Sequence, residues 1–159
     1  MPAAGKSTVG VIAAKLLGLD FVDTDLLIQT KHKKSLQALI DEEGLEAFRR
    51  AEEDVLLSLH LTHCLISTGG SAVYSEAAMA HLRRGGRTLF LDVPLKLLAQ
   101  RITDMEHRGL VIDPGRGIDD LFRERRPLYL KHADWVLDAA AGSAEEIARE
   151  AARLWKQQT

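Results

Sequence analysis

The sequence predicts an α/β protein, with a mostly parallel sheet and helices on both of its faces. Three observations point there. Short apolar runs such as Cys64-Leu65-Ile66 and Leu89-Phe90-Leu91 alternate with longer stretches of helical period. Gly5-Lys6-Ser7-Thr8 opens directly into an apolar helix, as a phosphate-binding turn does. The polar clusters Asp23/Asp25, Gly69/Gly70 and Asp92 each follow the C-terminal end of a predicted strand, the edge on which open α/β sheets take their ligands.

The elements follow in order. The first helix runs from the phosphate turn through Val9 to Leu17, and Gly18 ends it. Phe21-Val22 is a short strand, closed by Asp23-Thr24-Asp25. Residues 26–60 are helical in three pieces, around Leu26-Leu27-Ile28, around Leu36 to Ile40, and from Ala47 to Leu61, with Asp41-Glu42-Glu43-Gly44 breaking the second from the third. Cys64 to Ser67 is a strand ended by Thr68-Gly69-Gly70. A helix covers Ser75 to Arg84, and Gly85-Gly86 stops it. Arg87 to Leu91 is a strand, turned by Asp92-Val93-Pro94 into a helix over Leu95–Thr103. Residues 104–117 are polar and glycine-rich without a clear period, which predicts a mobile loop. A helix over Asp119–Lys131, a strand over Asp134–Asp138 and a Ser143-capped helix to about Lys156 complete the chain.

Composition narrows the function. With 159 residues, 46% of them hydrophobic, one domain with a real core is expected over residues 1–159. A net charge of −2 gives no support to nucleic-acid or membrane-surface binding. The single cysteine, Cys64, excludes an internal disulfide and lies in an apolar run, where a buried, inert thiol is expected. Residues 1–20 do not read as a signal peptide, and no window approaches the ~18 apolar residues of a membrane span. A cytoplasmic protein is expected, with a monomer favoured.

Within this frame the chemistry starts at the phosphate turn. Gly5 lets successive N–H groups face phosphate oxygens; Lys6 would bridge the β- and γ-phosphates, and the Ser7 hydroxyl would ligate Mg²⁺. The full pattern has a further glycine ahead of Pro2-Ala3-Ala4-Gly5, and a buried strand before it. The first strand and the first loop glycine are therefore expected to be absent from this chain. Asp23 and Asp25 can serve as a metal-side carboxylate and a proton acceptor, or as a helix N-cap pair. Arg49, with Glu52 three residues on to hold it, can be a ligand grip or an exposed salt-bridged face. Ser67-Thr68-Gly69-Gly70 can offer N–H groups or be a turn.

In this order and spacing the set resembles the shikimate kinases, small P-loop kinases of the nucleoside-monophosphate-kinase type. The resemblance runs from the first residue to about Asp138. It rests on Gly5-Lys6-Ser7-Thr8-Val9-Gly10, Phe21-Val22-Asp23-Thr24-Asp25, Phe48-Arg49-Arg50-Ala51-Glu52-Glu53, Ser67-Thr68-Gly69-Gly70, Leu89-Phe90-Leu91-Asp92 and Arg125-Arg126-Pro127-Leu128-Tyr129. It implies a three-layer α/β/α P-loop kinase fold and an ATP- and Mg²⁺-dependent transfer of phosphate to a hydroxyl of a small carboxylic acid, shikimate first. By resemblance Lys6, Asp25 and Arg108 are the catalytic groups. Ala4, Gly5, Lys6, Ser7, Thr8, Arg101 and Arg108 bind ATP, with Arg101 stacked on adenine. Asp25, Arg49, Gly69, Gly70 and Arg125 bind the acid, Ser7 and Asp23 hold Mg²⁺, and residues 104–117 form the lid.

Four departures accompany the resemblance. Ser71 replaces the family's third glycine, Gly109-Leu110-Val111 follows Arg108 in place of Pro-Leu-Leu, Leu45 follows Gly44 in place of glutamate, and Ile40 stands where an aromatic residue often lines the pocket. They leave two other readings open: a kinase of another hydroxy-acid such as homoserine or gluconate, and a non-catalytic nucleotide-binding module.

Overall fold

The computed structural model describes residues 1–103 and 116–157. In chain order the elements are α1 (Lys6–Leu17), β1 (Asp20–Asp23), α2 (Thr24–His32), α3 (Leu36–Glu43), α4 (Leu45–Ser58), β2 (Cys64–Ser67), a short 3-10 turn (Ala72–Tyr74), α5 (Glu76–Gly85), β3 (Leu89–Asp92), α6 (Leu95–Thr103), α7 (Ile118–His132), β4 (Trp135–Asp138) and α8 (Ala144–Lys156). Every strand and helix expected from the sequence is present, with ends that differ by a residue or a few. The 3-10 turn is new. Its short period could not be told from the loop around it. The expected lid, residues 104–117, falls almost wholly outside the described residues, and Arg108 with it.

All strand pairing among the described residues is parallel. Asp20 to Asp23 pair with Cys64 to Ser67, and Leu89 to Asp92 with Trp135 to Asp138. The sequence predicts one sheet, whereas the described residues form two parallel pairs, β1–β2 and β3–β4, with no ladder joining them. Side chains join the pairs instead. One apolar cluster runs from Val9 and Ala13 of α1 through Leu56 of α4, Phe90 and Leu91 of β3 and Leu98 of α6 to Leu121 of α7 and Ala148 of α8. α1 is the bridge, packed on β1, β2 and α8. A smaller cluster of Ile28, Leu39, Phe48, Ala51 and Val55 holds α2, α3 and α4 together.

Local chemistry sets the helix ends. Ser35, Ser75 and Ser143 each accept a hydrogen bond from an N–H in the first turn of α3, α5 and α8, and the Glu146 carboxylate accepts one from the Ser143 N–H to complete a capping box. Gly18, at φ 67°, takes the left-handed conformation that closes α1. Trp135 of β4 meets Trp155 of α8 edge to face, with ring centres 6.2 Å apart. No helix among the described residues is long and apolar enough to cross a membrane.

Candidate active site

The site gathers at the C-terminal ends of β1 and β2 and at the start of α1. Ala3 and Gly5, at φ 55° and 84°, both take left-handed conformations, so residues 1–5 curl in front of the α1 N-terminus. Such turns point backbone N–H groups inward, and the helix dipole adds positive potential at the same place. The first turn of α1 carries no acidic residue to oppose an anion there, and Ser7 and Thr8 are exposed. Lys6 folds back along the curl and donates from Nζ to the Met1 carbonyl at 2.8 Å. Burial lowers its pKa, opposed by the nearby carboxylates of Asp25, Glu52 and Asp23. Arg101, from the end of α6, reaches the same curl and donates to the Ala3 carbonyl at 3.4 Å.

Asp23 ends β1 and caps α2, with Oδ1 accepting from the Asp25 N–H at 3.0 Å. The N-cap geometry considered for the aspartate pair is therefore real, and it fixes Asp25 in the first turn of α2. Burial raises the Asp25 pKa; Lys6 pulls it down and Asp23 pushes it up.

Gly69 and Gly70 follow β2 into the same space. The Gly69 N–H donates to the buried Thr24 Oγ1 at 3.1 Å, and the Gly70 carbonyl accepts from the Tyr129 hydroxyl at 2.6 Å. Both glycines were expected to give backbone contacts to a ligand, and two of those backbone groups are engaged within the protein. The missing side chain at Gly69 matters more, because a Cβ there would stand 2.1 Å from Glu52 Oε1 and 2.8 Å from Asp25 Oδ1. Burial also raises the Tyr129 hydroxyl pKa, and its ring stacks on Phe90 with centres 5.0 Å apart.

Glu52 departs from its expected place. It was to hold Arg49; Arg49 instead pairs with Glu46 at 3.0 Å, one turn back on α4. Glu52 is 2% exposed and turns inward, with Oε2 accepting from the Ser71 hydroxyl at 2.5 Å and Oε1 buried without a hydrogen-bond partner. Burial drives its pKa up to about 7, with Ser71 holding it down and Asp25 adding to the rise. The three-residue spacing suggested a partner on the same helix, while the real partner is 19 residues away.

Arg125, 1% exposed on α7, comes to this cluster, and its Nη1 lies 3.2 Å from where a Gly70 Cβ would be. Its neighbour Arg126 faces away and grips Asp92 at 3.2 and 2.7 Å. Between Arg49 and Arg125 sits Tyr74, to which the sequence assigned no role. Nothing in one sequence shows that an aromatic residue in a short turn will meet two helices.

The structure thus brings Lys6, Asp25, Arg49, Gly69, Gly70 and Arg125 into one region, with Ser7, Thr8, Asp23 and Arg101 on its phosphate-loop side. The family model for shikimate kinase matches residues 2–155. A shikimate kinase from Histophilus somni is 34% identical over 151 residues, which is 92% of this chain and 86% of the relative. One from Halorhodospira halophila is 36% identical over 149 residues, 92% of this chain and 84% of the relative. Among solved structures, shikimate kinase from Acinetobacter baumannii in complex with shikimate superposes with a TM-score of 0.90 at 29% identity, over 99% of this chain and 89% of that one. The Aquifex aeolicus enzyme gives 0.85 at 31% identity, over 99% and 94%.

Proposed function

The chain belongs to the shikimate kinase family, and on that premise we propose that it transfers the γ-phosphoryl group of ATP to a ring hydroxyl of shikimate, giving shikimate 3-phosphate. The observation that carries this reading is the meeting of two arginines from separate helices, Arg49 and Arg125, around one ring beside Gly69, Gly70 and Asp25. Two permanently charged planar forks suit a carboxylate, and a carboxylate base close by suits a hydroxyl that must lose its proton.

The residues present fit ATP and Mg²⁺. The α1 N-terminus and the left-handed curl suit polyphosphate, and the Ser7 hydroxyl with the Asp23 carboxylate is a hard-oxygen pair of the kind Mg²⁺ takes. Bound there, the ion would neutralise charge on the phosphates. Lys6 holds an ammonium at the same end, already aimed along the loop by its bond to the Met1 carbonyl. Asp25 would orient the acceptor hydroxyl and take its proton at a carboxylate oxygen. Phosphoryl transfer through a loose transition state asks mainly for such positioning. Arg101, already on the loop's Ala3 carbonyl, stands on the side proposed for the nucleotide.

Turnover of shikimate, homoserine and gluconate with ATP tests the reading. Shikimate should be phosphorylated well above the other two. Turnover of another acid alone would replace the substrate, and nucleotide binding without turnover of any would mean a non-catalytic module. Lys6→Ala should abolish turnover in a folded protein. Arg49→Ala and Arg125→Ala should each raise KM for shikimate about ten- to a hundredfold, with little change in KM for ATP. Arg126→Ala, which loses only the pair with Asp92, should change KM far less.

A further inference from the structure

Resting on the reading of Arg49 and Arg125 as the carboxylate grip, we propose that Tyr74 is the positioning residue that presents these two arginines as one receptor. Tyr74 closes the 3-10 turn that follows the Gly69-Gly70-Ser71 stretch. The turn is anchored by buried Ala72 and Val73, and by the Tyr74 N–H on the Ser71 carbonyl at 2.9 Å. The ring is therefore held by the backbone of the site itself. The Cζ of Arg49 lies 4.8 Å from the ring centre and that of Arg125 5.1 Å, both within the range of a cation–π contact. The hydroxyl accepts from Arg125 Nε at 3.1 Å and donates to Glu124 Oε1 at 2.6 Å.

Each of these contacts answers a physical problem. Arg49 and Arg125 carry like charges on long flexible stems, and come from α4 and α7. Left to themselves they would repel, and each would lose rotamer freedom on closing round a ligand. The negative face of one aromatic ring attracts both guanidinium groups at once. The hydroxyl occupies Arg125 Nε, which turns the terminal nitrogens of that fork toward Gly70. Glu124 polarises the hydroxyl so that its lone pair meets Nε. Tyr74 touches no reacting atom in this scheme. It acts through the arginines, on the carboxylate end of the substrate only.

The test is steady-state kinetics on Tyr74→Leu and Tyr74→Phe, with melting temperatures, using shikimate and its carboxamide. Tyr74→Leu should raise KM for shikimate about tenfold, with KM for ATP and kcat within about twofold. Tyr74→Phe, which keeps the ring, should restore most of that loss. The preference of wild type for shikimate over the carboxamide should shrink in the leucine variant, because only the charged head depends on the pair. An unchanged KM for shikimate and an unchanged preference would overturn the proposal, as would a fall in melting temperature with both KM values rising together. Should the leucine variant fail to fold, coupling between Tyr74→Met, which also removes the ring, and Arg125→Ala in KM for shikimate decides, strict additivity counting against. If Arg49→Ala and Arg125→Ala themselves leave KM for shikimate unchanged, the grip and the proposal fall together. If they raise it and Tyr74→Leu does not, only the role of Tyr74 falls.

Discussion

Glu52 shows at the level of one residue what burial does to a carboxyl group. Its proton is held up to about pH 7 in the folded protein, against an ordinary value of 4.5. Folding is therefore favoured by this group below its unfolded value, and that gain drains away as pH rises from about 4.5 to 7. The whole effect is on the order of 3 kcal/mol. Glu52→Gln keeps an acceptor for Ser71 and removes the titration. The difference in melting temperature between wild type and this variant should move in favour of wild type from pH 8 to pH 5. His132, whose pKa is depressed by burial, acts in the opposite sense but is common to both proteins. A difference that does not vary with pH would mean that Glu52 does not titrate in this range. The sequence shows the residue's type and its place three residues after Arg49. It does not show the side chain's direction, because the inward turn depends on Ser71, far along the chain, and on the space left by Gly69.

Gly10 decides how closely α1 can lie on its sheet. A Cβ there would meet the Phe21 ring at 2.9 Å and Leu65 at 3.2 Å, so the helix touches β1 and β2 through a glycine face. Gly10→Ala gains about 1 kcal/mol in helix propensity and loses about 1–3 kcal/mol to overpacking against the Phe21 ring and Leu65. The loss should win, with a melting temperature lower by a few degrees and a further fall for Gly10→Val. An alanine variant more stable than wild type would mean that Phe21 gives way freely. The elements themselves were legible because their signals are local: serine caps, glycine stops and apolar period lie within a few residues of one another. The 3-10 turn and the division into two strand pairs were not, since one is too short for a period and the other depends on which edges meet in space.

Across the whole molecule, the two apolar clusters divide the labour. The large one fastens both strand pairs through α1, and the small one carries α2 and α3 on α4. Asp25 and Arg49 ride on the small unit, while Lys6 and Arg125 belong to the large one. A unit with few buried apolar side chains opens at lower free energy than the main core. In hydrogen exchange, amides of α2 and α3 should therefore exchange before those of α1 and α7 in the free protein, and shikimate should slow them. Equal protection throughout would mean the clusters open as one body. The chromophores are segregated too. Both tryptophans, Trp135 and Trp155, lie against each other where α8 covers β4, while both tyrosines, Tyr74 and Tyr129, line the proposed binding region. The protein therefore carries two separate optical reporters. Intrinsic tryptophan emission should follow the melting of the C-terminal helix and stay flat in a shikimate titration, while tyrosine difference absorbance should respond to the ligand. A large tryptophan response to shikimate would show that binding is felt where α8 meets β4.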